Sequence, residues 1–391
     1  MRIGFDATVL APASRYTGTG QYAEKLIGLL PVLAPEDEFI LYGTSPGSDF
    51  ELPTNVTWRS IADLPFGRLS ALMGHLIALP RLAREDDLDL LHVPTVHTRA
   101  SLPPVPRRLP CPLVVTLHDL IPTTYYGRSG EPLPWRMRMY YRWNLNAVQK
   151  AQRVITVSES SRMDILKELR VSADLVVAIH NGVDFGYSNN AVTPWKLAGE
   201  EGPYILFGGS FEPRKNLTRL IEAFDSAVKA GLEHHLVMIV DSASGHAEKV
   251  RANADRLSCA GRLHFLSGLD ELTLRAVYRG ASLFVFPTLA EGFGLPPLQA
   301  LACGVPVIAS DLGVTREVLG DAAYYVDPYS VTDIAESLIA LCSDASLREE
   351  LAAAGPQRAA GFTWEETARR TRDVYRSVVE APRATALATR S

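Results

Sequence analysis

The chain has 391 residues, is 47% apolar and 21% charged, and carries a formal net charge of −5. That is the make-up of an ordinary globular protein, long for one domain, and its charge gives no global reason to expect nucleic acid as a partner. Its four cysteines, Cys111, Cys259, Cys303 and Cys342, are scattered without a CxxC or Cys/His cluster, so they read as small core residues in a reducing compartment, not as a disulfide frame or zinc site. Met1-Arg2-Ile3-Gly4 enters a strand at once, so no signal peptide is expected. No uninterrupted apolar run approaches the roughly 18 residues of a membrane span. The best candidate, Leu69 to Ala83, is broken by Gly74, His75, Pro80 and Arg81. A cytoplasmic protein is expected.

In chain order, Arg2 to Ala7 reads as a short strand. Thr17-Gly18-Thr19-Gly20 then leads into a helix over 22–30, with apolar residues at 22, 23, 26, 27, 29 and 30. Gly18 and Gly20 at a helix start can expose backbone N–H groups to an anion, although a lone GxG fits a tight turn about as well. Strands follow at Phe39 to Tyr42, Leu88 to Val93 and Leu113 to Leu117. The last ends in His118-Asp119-Leu120-Ile121-Pro122, polar chemistry at the carboxyl end of an apolar strand, where open α/β sheets place their ligands. A buried, satisfied histidine is the competing reading. Asp87-Leu88-Asp89 has the spacing of a DxD metal motif, but it sits at the start of a strand and reads as a solvated turn. From 128 to 153 the chain carries Arg128, Arg136, Arg138, Arg142, Lys150 and Arg153 against the single acid Glu131, with Trp135, Met137, Met139, Tyr140, Tyr141 and Trp143 interleaved. Such a stretch is either a domain helix with solvated arginines or a surface for anionic lipid headgroups.

Strands at Val154 to Val157 and Val176 to Ile179 close the first half, which ends at the turn Asn181-Gly182-Val183-Asp184. The aperiodic stretch Phe185 to Gly202 marks a boundary. The reading is a first domain over 1–185, a linker over 186–202, a second domain over 203–363, a last helix over 364–380 returning to the first domain, and a tail over 381–391. The second domain starts afresh with strand Tyr204 to Phe207, loop Gly208 to Asn216 and helix Leu217 to Ala230. Further strands are expected at Leu236 to Val240, Leu263 to Leu266, Leu283 to Phe286 and Val305 to Ala309. Two alternating β/α halves argue for an α/β fold of two doubly wound, Rossmann-like domains facing across a cleft. Neither half carries a full GxGxxG with an acid about 20 residues on, which weakens a dinucleotide-oxidoreductase reading.

The richest stretch is Pro287 to Ser310, PTLAEGFGLPPLQALACGVPVIAS. It places one carboxylate, Glu291, and the backbone of Gly292, Phe293 and Gly294 at the carboxyl end of the strand Leu283 to Phe286. Arg214 and Lys215 adjoin another glycine-rich strand end and a helix N-terminus. Cations are disfavoured at that end of a helix dipole, so two of them suggest an anion between, and a diphosphate suits fixed cations and backbone donors.

GSFEPRKN and AEGFGLPPLQALACGVPVIAS, with GTGQY near the start, HDLIP at a strand end and NGVD before the linker, resemble the retaining glycosyltransferases of family 4. The resemblance spans nearly the whole chain and is most specific in the second half. It implies the GT-B fold and a nucleoside-diphosphate sugar as co-substrate, with no metal and no other cofactor. It implies that Glu291 accepts hydrogen bonds from hydroxyls of the transferred sugar, and that the amides of Phe293, Gly294 and Leu295 contact sugar and diphosphate. Arg214 and Lys215 would hold the diphosphate, beside Gly209 and Ser210, and the turn Leu266 to Leu269, with Gly268, would meet the nucleobase. Gly18 and Gly20 would approach the phosphates from the other domain, and His118, with Asp119 and Tyr22, would serve the acceptor side.

Three positions depart from the family pattern. Gln299 stands where a second glutamate usually bonds the ribose, Ser210 stands where an arginine is common, and Asp241 to Gly245 replaces a glycine-rich turn. Hexose transfer, mannose favoured, to a glycan or lipid-linked glycan is the implied reaction, with retention at the anomeric carbon. Another GT-B sugar-nucleotide enzyme (epimerase or phosphorylase) and a non-catalytic pseudo-enzyme remain as alternatives. An anionic membrane surface at 128–153, on the inner face of the cell membrane, is a further expected partner.

Overall fold

The structure is a computed structural model that describes residues 1–10, 17–43, 53–61, 74–96, 105–106, 108–126, 133–184, 187, 192–197, 202–241 and 246–381. The chain divides into two compact units, one of Met1–His180 with Trp364–Ser391, the other of Asn181–Thr363.

The first unit is a parallel sheet of seven strands: β1 (Arg2–Asp6), β2 (Glu38–Gly43), β3 (Val56–Ser60), β4 (Leu90–Val93), β5 (Leu113–Thr116), β6 (Arg153–Thr156) and β7 (Val176–Ala178), in the order β3-β2-β1-β4-β5-β6-β7. The inner strands β4 and β5 are buried along their whole length, because helices cover both faces of a parallel sheet. The helix Gly18–Leu33 begins four residues before the periodic stretch at 22–30, since Thr17 caps it and draws the glycines into its first turn. β4 starts at Leu90, not Leu88. Asp87 turns the chain with φ of 48°, and Asp89 Oδ2 accepts from the Arg2 amide at 2.7 Å, so this DxD closes a turn. The helix Trp364–Glu380 packs in this unit: Thr367 Oγ1 donates to the His180 carbonyl (2.7 Å) and an Arg370 nitrogen to the Ala178 carbonyl (2.9 Å).

The second unit is a parallel sheet of six strands: β8 (Tyr204–Ser210), β9 (His235–Asp241), β10 (Leu263–Leu266), β11 (Leu283–Phe286), β12 (Val307–Ser310) and β13 (Ala323–Val326), in the order β10-β9-β8-β11-β12-β13. Its helix Leu217–Lys229 buries Leu220, Ile221 and Phe224 completely, each burial stabilising by roughly 1.5–3 kcal/mol. Two features differ from the sequence reading. Gly208, Gly209 and Ser210 are strand, paired with Ile239, Val240 and Asp241, not loop. Glycine is needed there because a Cβ on Gly208 would lie 2.9 Å from the Tyr278 hydroxyl, and one on Gly209 2.9 Å from the Phe207 ring. β3 and β13 were also not anticipated: VTWRS mixes polar and apolar residues, and in AYYV only the two end residues are buried.

Of the expected linker, the Trp195 amide donates to the Ala276 carbonyl (3.0 Å) and its ring stands edge-on to Tyr204, 5.5 Å away. Arg128, Glu131, Ser242 to Gly245 and the tail beyond 381 lie outside the described residues. Among the four cysteines Cys259 is buried and the others half-buried, all as free thiols.

Candidate active site

Strand order locates the site in the second unit. The order reverses direction between β8 and β11, and at such a switch point the loops leaving the two carboxyl ends part and open a crevice. The loop after β8 carries Arg214 and Lys215, and the loop after β11 carries Glu291.

Backbone and side-chain bonds staple the two loops together. The Leu289 amide donates to the Arg214 carbonyl (2.7 Å). Asn216 occupies the left-handed region (φ 63°), and its Nδ2 donates to the carbonyls of Pro287 (2.9 Å) and Pro328 (2.6 Å). Asparagine tolerates that conformation better than most residues, so the turn holds while the side chain ties three loops.

Three donors then converge on one oxygen. Lys215 Nζ lies 2.5 Å, Arg214 Nη1 2.8 Å and Thr288 Oγ1 3.0 Å from Glu291 Oε1. Arg214 also reaches the Ala290 carbonyl (3.1 Å) and Glu212 Oε2 (2.7 Å), and Lys215 Nζ stands 4.9 Å from the centre of the Phe286 ring. The Lys215 and Glu291 side chains are only 8% and 9% exposed, so this pairing is not a solvated surface contact. Burial raises the pKa of Glu291, but the charges of Lys215 and Arg214 and the bonds from Lys215 and Thr288 outweigh it and hold the carboxyl below its ordinary value. Burial pulls Lys215 down as well, against the pull of Glu291. The pair is ionised on our reading, because the same oxygen is also held by Arg214.

The other expected donor-side residues lie at the same carboxyl edge. Gly294, at φ 94°, turns the chain into the helix Leu295–Ala302, a conformation that a side chain would strain. Phe293 is buried with its ring edge-on to Phe362, so only its backbone is placed for a ligand. Gln299 is half-buried on that helix, with no side-chain hydrogen bond among the described residues. Gly209 and Ser210 end β8, Leu266 ends β10, and Gly268 (φ 65°) and Leu269 form the turn after it.

In the first unit, His118 and Asp119 follow β5. His118 Nε2 lies 3.0 Å from the Pro94 carbonyl, which fixes the proton on that nitrogen. Asp119 Oδ1 accepts from the Ile121 amide (2.9 Å) and so shapes the turn. Two expectations need correcting. Tyr22 has no exposed surface, its hydroxyl lies 3.0 Å from Thr116 Oγ1 and its ring stands edge-on to His118, 4.8 Å away. With no exposed surface, it cannot touch an acceptor. The Gly20 amide donates to Thr17 Oγ1 (3.2 Å), which removes one of the donors offered to an anion; Gly18 has open space where a Cβ would be.

Thr288 and Asn216, which the sequence reading did not single out, help to build the Glu291 cluster. The available signal was a polar residue directly after an apolar strand, as in Phe286-Pro287-Thr288.

Two family models match: "Glycosyltransferase Family 4" over residues 32–186 and "Glycosyl transferases group 1" over residues 193–358. The chain is 27% identical over 382 residues to the O-antigen chain mannosyltransferase B of Escherichia coli, covering 92% of this chain and 96% of that protein. It is 28% identical over 384 residues to the phosphatidyl-myo-inositol mannosyltransferase of Mycobacterium leprae, covering 96% and 93%. Among solved structures, sucrose-phosphate synthase from Thermosynechococcus elongatus superposes with a TM-score of 0.76 at 19% identity, over 98% of this chain and 100% of that one. With two Rossmann-like sheets, a charged site at the switch point of the second, and these matches across both halves, the chain belongs to the GT-B glycosyltransferases of family 4.

Proposed function

We propose that this glycosyltransferase moves a hexose, mannose by preference, from a guanosine-diphosphate donor to a hydroxyl of a glycan or lipid-linked glycan, with retention and without a metal. The observation that carries the donor half is the cluster of Arg214, Lys215 and Glu291 at the switch point. The mannosyl preference is supported by the names of the two relatives reported above.

In the reaction the bond between the anomeric carbon and the β-phosphate oxygen breaks, and the acceptor oxygen bonds to that carbon from the same face. The acceptor proton passes to the leaving phosphate. Arg214 and Lys215 supply fixed positive charge where the departing diphosphate accumulates negative charge, and the N-terminal amides of the helix Leu295–Ala302 add dipole. Glu291 has all three of its described hydrogen bonds on Oε1, and Oε2 is the atom assigned to sugar hydroxyls. Gln299, an uncharged acceptor, takes the ribose. His118, whose Nε2 donates to the Pro94 carbonyl, is the residue assigned to a hydroxyl of the sugar or acceptor. The two expected alternatives separate from this reading in one assay. A transferase releases nucleoside diphosphate faster when an acceptor hydroxyl is added and forms a new glycoside. An epimerase or phosphorylase forms none, and a pseudo-enzyme binds donor without consuming it.

A membrane-facing role for the first unit rests on a separate observation. The helix Trp135–Val148 holds Arg136, Arg138 and Arg142 and no acid. Trp135, Met139 and Trp143, spaced by four and therefore on one face, are 60%, 63% and 44% exposed. An apolar ridge flanked by cations suits anionic headgroups, as expected for an enzyme acting on lipid-linked glycans at the inner face of a membrane. No described helix is long and apolar enough to cross a membrane. Co-sedimentation with phosphatidylglycerol vesicles should fall sharply when Trp135, Met139 and Trp143 are replaced by serine. Unchanged binding would remove this role.

A further inference from the structure

The first unit contains a buried polar chain that the reaction as described does not use. His92, on β4, has no exposed surface; its Nδ1 lies 2.6 Å from the Tyr375 hydroxyl and its Nε2 2.8 Å from Thr116 Oγ1. Thr116 Oγ1 lies 3.0 Å from the Tyr22 hydroxyl.

Each hydroxyl here can donate or accept, and a neutral His92, donating from one ring nitrogen and accepting at the other, satisfies both of its partners. Burial lowers the His92 pKa to about 3, which agrees with that neutral form. The chain starts at Tyr375 on the helix Trp364–Glu380 and runs through His92 on β4 and Thr116 on β5 to Tyr22 on the helix Gly18–Leu33.

Its middle members sit directly behind His118. Thr116 ends β5 two residues before His118, and the Tyr22 ring, held by its hydroxyl bond to Thr116, meets the His118 ring edge-on at 4.8 Å and 84°. On the opposite side His118 is held by the Pro94 carbonyl (3.0 Å). We infer that Tyr22, Thr116, His92 and Tyr375 form a positioning chain through which the C-terminal helix sets the orientation of the His118 imidazole for sugar transfer. The inference rests on the assignment of His118 to the reacting sugar or acceptor given above.

The test is a double-mutant cycle on kcat and on KM for donor, with folded fraction measured by near-UV circular dichroism. Tyr22→Leu removes the ring against His118, and Tyr375→Phe removes only the hydroxyl that starts the chain. Each should lower kcat, Tyr22→Leu by about tenfold or more and Tyr375→Phe by less, while the donor KM stays within about twofold, and His118→Ala should lower kcat further. In the His118→Ala background neither change should lower kcat again. If both still lower kcat by their full factors there, they act on stability or on another group, and the positioning chain is wrong while His118 keeps its role. If His118→Ala alone leaves kcat unchanged, the assignment of His118 fails first, and the inference with it.

Discussion

Replacing Lys215 with alanine removes an ammonium that stands 2.5 Å from Glu291 Oε1 and is 8% exposed. Two costs follow, and they differ in kind. Removing one partner of a buried ion pair destabilises by about 3–5 kcal/mol. Arg214 at 2.8 Å and Thr288 at 3.0 Å remain on the same oxygen, so Glu291 is not left unpaired and the lower end applies. A loss of about 3 kcal/mol leaves a protein of ordinary stability folded. The catalytic cost is the loss of one fixed charge facing the leaving diphosphate, which for a preorganised donor amounts to about 10²–10³ in kcat. Urea unfolding would read the first, and steady-state release of nucleoside diphosphate in the presence of acceptor the second. The expected result is a lower midpoint, an intact fold and a turnover reduced at least a hundredfold. A variant that is destabilised as expected yet turns over within a few-fold of wild type would refute the diphosphate assignment, since Lys215 would then serve only to neutralise Glu291.

Three further outcomes follow from the geometry. Glu291 has a lowered pKa in the folded chain, so its contribution to stability is present above the ordinary carboxylate value and lost as pH falls through it. Glu291→Gln should accordingly flatten the acid limb of stability below about pH 4.5, and an unchanged limb would mean the pair is not ionised. His92 is neutral in the folded chain with a pKa near 3 against an ordinary 6.5, so stability should fall by about 2 kcal/mol between pH 7 and 5 on its account. His92→Gln, which keeps a donor and an acceptor, should remove that slope, as read by denaturant titrations at the two pH values. Gln299→Glu should tighten donor binding if this position holds the ribose; an unmoved Kd would place the ribose elsewhere.

The sequence made the inner strands legible because a parallel sheet buries both faces, so Leu283 to Phe286 is apolar at every position. It left β3 and β13 illegible because VTWRS mixes polar and apolar residues and the middle of AYYV is not buried. Gly208 and Gly209 read as loop on propensity alone. Only the packing of Tyr278 and Phe207 against them explains why glycine is strand there. At the site, Arg214, Lys215 and Glu291 could be named one by one, but their convergence depends on which strands are neighbours, and β8 and β11 are separated along the chain by β9 and β10. Tyr22 was assigned to the acceptor although its place in the apolar period 22, 23, 26, 27 already marked it as core. There a resemblance outweighed the pattern of the residues themselves.

The central claim is that the crevice between β8 and β11 holds the diphosphate of the donor. Calorimetric titration of GDP, UDP, dTDP and ADP into the wild-type chain and into the Arg214→Ala/Lys215→Ala double variant tests it most directly. The account predicts that one of these nucleotides, GDP by preference, binds the wild type and that its affinity falls at least a hundredfold in the double variant. Equal affinity in the two proteins would contradict it.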